Sequence, residues 1–264
     1  MKNKYLIFTI LIAVTTNCFA EDEEELARNA VNPFGKMIKI PFQYNYSRDI
    51  GKTHGNKTYI KFEPVVPVSL NENWNLISHS KIHFIDERNV NHHHSHQSGI
   101  SDFKQHLLLS PNKISPEGFN WGLGPVFSIP TASYHTLGTQ KWSIGPSSGL
   151  YWRDDHWTIG SLFYHLWSIA GSEERIYINK TYLKPRITYS TYQGWNFSTA
   201  SDAVYNWRSD EWAAPVNFDI SKLLCIGEQY ITIGGGIRYW LVTTDRSPHG
   251  YAYRFAIAFL FPQE

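Results

Sequence analysis

The stretch Tyr251-Ala252-Tyr253-Arg254-Phe255-Ala256-Ile257-Ala258-Phe259-Leu260-Phe261 predicts the fold class of the chain. Large apolar side chains alternate with small or polar ones, which is the period of a β-strand whose two faces have different surroundings. The aromatic face requires an apolar environment, whereas Arg254 on the other face requires a polar one. A strand between lipid and a wet interior meets both requirements.

The same alternation runs from Met37 onward and divides the chain into strand-length segments. We predict strands at 37–46, 57–69, 74–85, 100–110, 119–130, 141–153, 157–169, 177–190, 195–206, 212–223, 229–242 and 251–261. Their lengths of about ten to thirteen residues suit tilted strands that cross a bilayer. The predicted fold is therefore all-β, an antiparallel transmembrane β-barrel of about 12 strands.

The connections are informative because bacterial barrels alternate short periplasmic turns with longer outer loops. Longer connections are predicted at 47–56 and 86–99, and shorter ones at 70–73, 154–156, 191–194 and 224–228. However, 111–118 is long for a turn and 207–211 is short for a loop. The predicted alternation is therefore good but imperfect.

Many tryptophans lie at the predicted strand ends, where an interfacial girdle holds amphipathic rings at the headgroup level. They are Trp74, Trp121, Trp142, Trp152, Trp157, Trp195, Trp207, Trp212 and Trp240. The alternative is a soluble β-sandwich with an aromatic core. The polar opposite face of the strands favours the barrel, which can point that face into a wet lumen.

Residues 1–20 are predicted to be a cleaved signal peptide, with Lys2 and Lys4 ahead of an apolar core and Cys18-Phe19-Ala20 at the cleavage site. The exported product would place residues 37–264 as a barrel in the bacterial outer membrane. Residues 21–36 precede the barrel and hold a short predicted helix that Pro33-Phe34-Gly35 ends. This periplasmic segment is predicted either to enter the lumen as a plug or to remain a disordered leader.

The charges are balanced, with 24 Lys and Arg against 23 Asp and Glu and a formal net charge of +1. They are scattered, and no basic block interleaves with aromatics. This distribution argues against a nucleic-acid partner. No cofactor is predicted.

Alternating projection of the predicted strands places one set of charged residues on the lumen side, where charge is tolerated. This set consists of Lys39, Lys61, Glu63, Lys81, Lys184, Arg186, Asp202, Asp219, Arg238 and Arg254. Basic groups outnumber acidic ones, so an open lumen would mildly prefer anions or polarised aromatics. The alternative is a lattice of salt bridges that fills and closes a small barrel.

A dense imidazole cluster, His92, His93, His94 and His96, lies in a predicted outer loop. Neutral imidazole is a good ligand for zinc, copper or nickel, so the cluster is a candidate metal site. No cysteine accompanies it in the sequence, and a solvated polar loop is the alternative reading.

An enzymatic barrel would need a Ser or Thr, a His and an orienting polar group that converge near one rim. His79, His83 and His106 are candidates for the base. No nucleophile elbow and no metal-ligand spacing accompanies them. The chain is therefore predicted not to be an enzyme.

Short motifs are spread over nearly the whole chain after residue 31. They are Asn32-Pro33, Ile40-Pro41-Phe42-Gln43, the segment 63–76, Trp121-Gly122-Leu123-Gly124-Pro125-Val126-Phe127, Pro130-Thr131-Ala132, the segment 137–146, Leu166-Trp167-Ser168-Ile169-Ala170-Gly171 and Phe259-Leu260-Phe261-Pro262. Together they resemble the outer-membrane proteins named for the meta-pathway of phenol degradation. This resemblance implies transport of aromatic compounds and supplies no catalytic residues. The His-rich insert at 91–97 departs from the family pattern.

The function predicted from these features is an outer-membrane channel or transporter through which small compounds, aromatic or hydrophobic ones among them, diffuse passively. The alternative is a barrel with a closed lumen that acts as a binding or surface-interaction module. The expected partners are outer-membrane lipids, a small-molecule solute, and the barrel-assembly machinery through the C-terminal strand that ends at Phe261.

Overall fold

The computed structural model describes residues 20–51, 53–90, 95–244 and 248–263, with only the backbone of residues 20–24. In this described chain one helix, α1 (Ala20–Val31), precedes fifteen strand segments. The segments are β1 (Met37–Ile50), β2 (Gly55–Phe62), β3 (Val65–Ser69), β4 (Trp74–Arg88), β5 (His96–Ile100), β6 (Phe103–Pro111), β7 (Phe119–Ile129), β8 (Lys141–Arg153), β9 (Trp157–Gly171), β10 (Asn179–Ser190), β11 (Trp195–Ser201), β12 (Ala203–Asn206), β13 (Glu211–Ile226), β14 (Gln229–Val242) and β15 (Tyr251–Pro262). No described helix has the length and apolar character that a membrane span needs.

The segments form one closed antiparallel barrel. β2 with β3, β5 with β6, and β11 with β12 are each two halves of one crossing, so the fifteen segments make twelve crossings. β1 and β15 pair from Met37↔Pro262 to Ser47↔Ala252 and close the sheet. The predicted twelve-stranded barrel is confirmed, and its closure removes the open sheet edge that would otherwise need covering.

Each of the three interrupted crossings holds an acidic residue at its break. The breaks lie at Glu63-Pro64, at Ser101-Asp102 and at Asp202. Pro64 has no N–H to donate to the ladder, which accounts for the first break. Local disruption of a ladder re-aims side chains, and all three carboxylates line the interior of the barrel.

The two ends of the barrel differ. The start of β1 and the end of β15 lie at one end, here called the turn end, together with the connections 70–73, 112–118, 154–156, 191–194 and 227–228. The opposite end, here called the loop end, carries 51–54, 89–95, 130–140, 172–178, 207–210 and 243–250. The alternation of short and longer connections therefore follows the prediction in outline.

The predicted extent of two loops is wrong. β1 continues to Ile50 and β2 already begins at Gly55, so most of 47–56 is strand. Likewise β4 continues to Arg88 and β5 begins at His96, which leaves only 89–95 of the predicted 86–99. Beyond the apolar belt the ladder needs backbone hydrogen bonds but no apolar alternation, so the sequence pattern stops before the strand does.

The outer wall is apolar and the inner wall carries the polar and charged side chains, as the alternation predicts. The inner wall also holds a buried apolar cluster around Phe34, formed by Val65, Ile77, Leu108, Val126, Leu162 and Leu166. In β15, Tyr251, Tyr253 and Phe255 are 62%, 53% and 53% exposed, whereas Arg254 is buried. The predicted placement of Trp240 in the outer girdle is wrong. Trp240 lies two residues after Arg238 on the same inward face, and its ring lines the interior.

Candidate functional site

Inward side chains leave three adjoining cavities along the barrel, of about 460, 260 and 170 Å³. We call them the upper, middle and lower chambers, counted from the loop end. The upper and middle chambers share Lys61, Glu63, Lys81, Lys184 and Asp202 as lining residues, here called the neck. The middle and lower chambers share Gln43, Arg186, Arg254 and Ala256. The lower chamber ends against Val31 of α1.

The structure brings most of the predicted lumen residues to these chambers. Lys61, Glu63, Lys81, Lys184, Asp202 and Arg238 line the upper chamber, and Arg186, Asp219 and Arg254 line the lower one. Lys39 lies apart from them. Its ammonium donates hydrogen bonds to the carbonyl oxygens of Asn29 and Asn32 in the N-terminal segment.

At the neck, three cationic side chains surround the carboxylate of Asp202 and form a four-residue charge cluster with it. Its carboxylate lies 3.6 Å from Lys61 Nζ and 3.2 Å from Lys184 Nζ. The Arg238 guanidinium also donates to it, and additionally donates to Tyr59 Oη at 2.9 Å. Nearer the turn end, Arg254 pairs with Asp219 at 3.1 Å. Part of the predicted salt-bridge lattice is therefore present, but the chambers remain open beside it.

Two lysines face two tyrosines across the lumen. Lys81 Nζ lies 5.6 Å from the ring centroid of Tyr164, and Lys104 Nζ lies 5.0 Å from that of Tyr182. The tyrosine rings stack on each other, with centroids 4.3 Å apart and planes 7° apart. The sequence prediction missed Lys104, although it shares one strand face with His106 and Ser110. It also missed both tyrosines, because alternation does not distinguish an aromatic lumen residue from a packed one.

The three candidate bases lie on the same inward wall, but they do not form a catalytic triad. His106 is fully buried, and its Nδ1 lies 2.9 Å from Ser147 Oγ. Its Nε2 has no hydrogen-bond partner among the described residues. Glu63 lies 3.2 Å from His83 Nε2 and 3.9 Å from His79 Nε2. No carboxylate in the described chain orients His106, so the Ser147–His106 contact lacks the third member of a hydrolase site.

The N-terminal segment packs inside the turn end of the barrel. The Phe34 ring lies where side chains are missing from Gly122 and Gly149, since an added Cβ at either glycine would meet it at 2.5 Å. It also meets Tyr151 edge to face, with centroids 5.7 Å apart. Ala27 of α1 is fully buried, and Asn29 Oδ1 accepts a hydrogen bond of 2.8 Å from Arg153. Contacts from several strands thus hold this segment.

Most of the predicted imidazole cluster lies outside the described residues, namely His92, His93 and His94. His96, at the start of β5, forms a 2.6 Å contact with Asp86 on β4. Among the residues that are described, no group of three or more His, Cys, Asp or Glu side chains is arranged to hold a metal ion. The metal site stays an untested prediction.

The fold is that of outer-membrane β-barrel proteins. The COG4313 outer membrane channel from Pseudomonas putida F1 is similar, with a TM-score of 0.67 at 11% identity over 88% of this chain and 98% of that one. Outer membrane phospholipase A from Escherichia coli is similar with a TM-score of 0.54 at 12% identity, over 90% of this chain and 98% of that one.

Comparison of the sequence with known proteins does not assign the chain to a family. No protein-family model matches the chain, and no curated protein matches it significantly. The resemblance to the meta-pathway family accordingly stays a prediction.

Proposed function

We propose that this protein is a channel of the bacterial outer membrane through which small compounds, aromatic or hydrophobic ones among them, diffuse passively. The observation that carries the proposal is the row of three adjoining chambers, which runs from the loop end to Val31. The outer-membrane barrel fold agrees with it, since such barrels enclose a polar interior within an apolar wall. In this proposal residues 1–20 direct export, outer-membrane lipids surround the barrel, and the assembly machinery reads the strand ending at Phe261.

The N-terminal segment is proposed to be the plug of this channel. Phe34, Ala27 and the Lys39 contacts hold residues 21–36 across the turn end, where the lower chamber stops. A plug of this kind reduces conduction without any change in the barrel wall. Release of the segment would join the chambers to the periplasm.

The proposal is tested by conductance in planar bilayers. The refolded mature protein is compared with a variant that lacks residues 21–34 and with an outward-facing control, Phe163→Leu, in the lipid-exposed wall. We expect discrete conductance steps in wild type and control, and larger steps after the deletion. If the correctly folded deletion variant is silent, the channel proposal fails.

A binding module with a closed lumen is the second candidate, and the charge cluster around Asp202 favours it. Three cations converge on this one carboxylate at the neck. If such a cluster is rigid, it fills the cross-section that a solute would need. Silence of both the wild type and the deletion variant in the bilayer experiment would select this second function.

A further inference from the structure

Lys81 and Lys104 are direct cross-strand neighbours on the inward face. β4 and β6 pair with Lys81 opposite Lys104 and His79 opposite His106. Two like charges in this arrangement repel each other and destabilise a sheet. Here two ammonium groups lie side by side, and Lys81 is only 5% exposed. The inner wall therefore has a local excess of positive charge at this pair.

Neighbouring carboxylates compensate this excess only in part. Glu63 attracts Lys81 across the upper chamber, but it also contacts His83 at 3.2 Å. Asp202 is engaged by Lys61, Lys184 and Arg238. Asp102 accepts hydrogen bonds of 2.7 Å from both the backbone N–H and the hydroxyl of Thr139. Within residues 20–51, 53–90, 95–244 and 248–263, no salt bridge of 4.0 Å or less involves Lys81 or Lys104.

The upper chamber as a whole carries more cations than anions. Its charged lining consists of Lys57, Lys61, Lys81, Lys104, Lys184 and Arg238 against Glu63, Asp102 and Asp202. Lys57 is neutralised by Glu87 at 2.5 Å, outside that lining. Because a low-dielectric wall strengthens charge interactions, the remaining excess favours an anion inside this chamber.

The same chamber offers apolar and aromatic walls for the body of a ligand. Tyr59, Ile85, Leu137, Val204 and Trp240 line it together with the stacked tyrosines. Its volume of about 460 Å³ is within the range of small-molecule sites, which combine mostly apolar walls with a few polar groups. The chamber therefore suits a single-ring molecule that bears one negative group.

We propose that the upper chamber is a binding site for small aromatic carboxylates, with the carboxylate between Lys81 and Lys104 and the ring against the aromatic wall. This inference deepens the proposed channel function, on which it rests for its physiological meaning, by naming the charge and chemical class of the solute. The ammonium groups donate charge-assisted hydrogen bonds to the carboxylate, and the bound anion relieves the repulsion between them.

The test uses three probes of matched size, benzoate, benzyl alcohol and benzylamine. Their binding to the refolded barrel in detergent is measured by titration calorimetry. We expect benzoate to bind most tightly and benzylamine least. Lys81→Met and Lys104→Met, which keep the length of the side chain, should each weaken benzoate about tenfold, because each removes one hydrogen bond to a charged group.

Lys222→Met is the matched control. Lys222 lies on the outward face of β13, over the ring of exposed Trp195, so its loss removes a charge without altering the chamber. Retained heat-modifiable gel migration shows that each variant is folded. Equal affinity for the three probes, or unchanged benzoate affinity in both chamber variants, would overturn the inference.

The anion site and the channel can fail separately. Calorimetry needs no conduction, so a silent barrel that binds benzoate retains the site and loses the channel. Reversal potentials in a salt gradient supply the converse readout. A conducting barrel without benzoate binding and without anion preference retains the channel and loses the site.

Discussion

Asp202 holds together residues from four different crossings at the neck. Lys61, Lys184 and Arg238 reach it from β2, β10 and β14, while Asp202 itself lies at the break between β11 and β12. One carboxylate thus shields three cations from one another. Its side chain is 27% exposed, so solvent screens part of each attraction.

Asp202→Asn removes this shared counter-charge at almost constant volume. We expect the free energy of unfolding to fall by about 1–3 kcal/mol, a range lowered from that of a fully buried pair because of the partial exposure. Thermal loss of strand signal in circular dichroism measures the effect. Glu228→Gln, in the exposed turn between β13 and β14, is the charge-matched control. Identical melting of the two variants would contradict this role of Asp202.

Phe34→Ala tests the anchor of the N-terminal segment. The substitution removes a ring that packs against Gly122, Gly149 and Tyr151, at a cost of about 3–5 kcal/mol for a buried Phe. We expect faster proteolysis of residues 20–36 while the barrel stays resistant. Phe163→Ala, in the outer wall, should leave the proteolysis rate unchanged. Equal rates in both variants would show that Phe34 does not hold the segment.

The sequence predicts which charges face inward but not which of them pair. Arg238 and Asp202 are far apart in the chain, and their contact depends on the breaks and registers that set strand height. Lys104 was missed for a related reason, since the break at Ser101-Asp102 changes which positions face inward between β5 and β6. The backbone N–H groups of Thr139 and Ala132, which are distant from Asp102 in the sequence, donate hydrogen bonds to its carboxylate and hold this break. No local sequence pattern predicts a hydrogen-bond partner that is so far away in the chain.

α1 is joined to the barrel by a side chain at its C-terminal end. Lys39, the third residue of β1, donates to the carbonyl oxygens of Asn29 and Asn32. These carbonyls belong to the last turn of the helix and to the residue just after it, where backbone acceptors lack partners and the helix dipole favours a cation. Lys39, which was predicted to line the open lumen, therefore binds the N-terminal segment instead.

Lys39→Met should loosen α1 without opening the barrel. We expect faster amide hydrogen exchange in residues 26–34 and unchanged exchange in the β1–β15 pairing, because only the helix loses its partner. The neighbouring Lys36→Met is the control, since Lys36 is exposed. If both variants exchange like the wild type, the ammonium does not anchor the helix.

All twelve crossings were predictable because each contains a run of alternation long enough to separate its two faces. The strand ends were not, since Ser47 and the polar residues of 86–88 pair in the ladder without an apolar face, and β1 reaches Ile50 only through a register shift after Ser47. The short helix was predictable from its flanking breaker, Pro33-Phe34-Gly35. Its docking inside the barrel was one of two predicted alternatives. The sequence alone could not decide between them, because the Phe34 contact depends on two glycines on other strands.

At the scale of the whole molecule, the exposed aromatic wall predicts that the fold depends on a bilayer. Large outward side chains such as Phe255, Phe218 and Trp167 are about half exposed. In water this surface would be a continuous apolar patch, which soluble monomers rarely expose. In lipid we expect the same surface to stabilise the barrel.

Phe255→Arg is expected to reveal that dependence. A charge near the middle of β15 on the lipid face should lower the free energy of unfolding by about 2–4 kcal/mol in vesicles, measured by urea titration. Phe255→Leu, which keeps the site apolar, should cost clearly less. If Arg proved no more costly than Leu, the outward face of β15 would not lie in the hydrocarbon layer.

If residues 21–36 are the plug that we propose, release of this plug is reversible, because the plug stays attached to β1. Only residues 32–36 separate the helix from the first strand, so a segment that leaves the lumen remains tethered beside the opening it left. Such a short tether keeps the local concentration of the segment near the millimolar range. Reclosure is then an intramolecular event that is independent of the number of copies in the membrane, and a peptide of the same sequence added in solution would have to reach similar concentrations to compete with it.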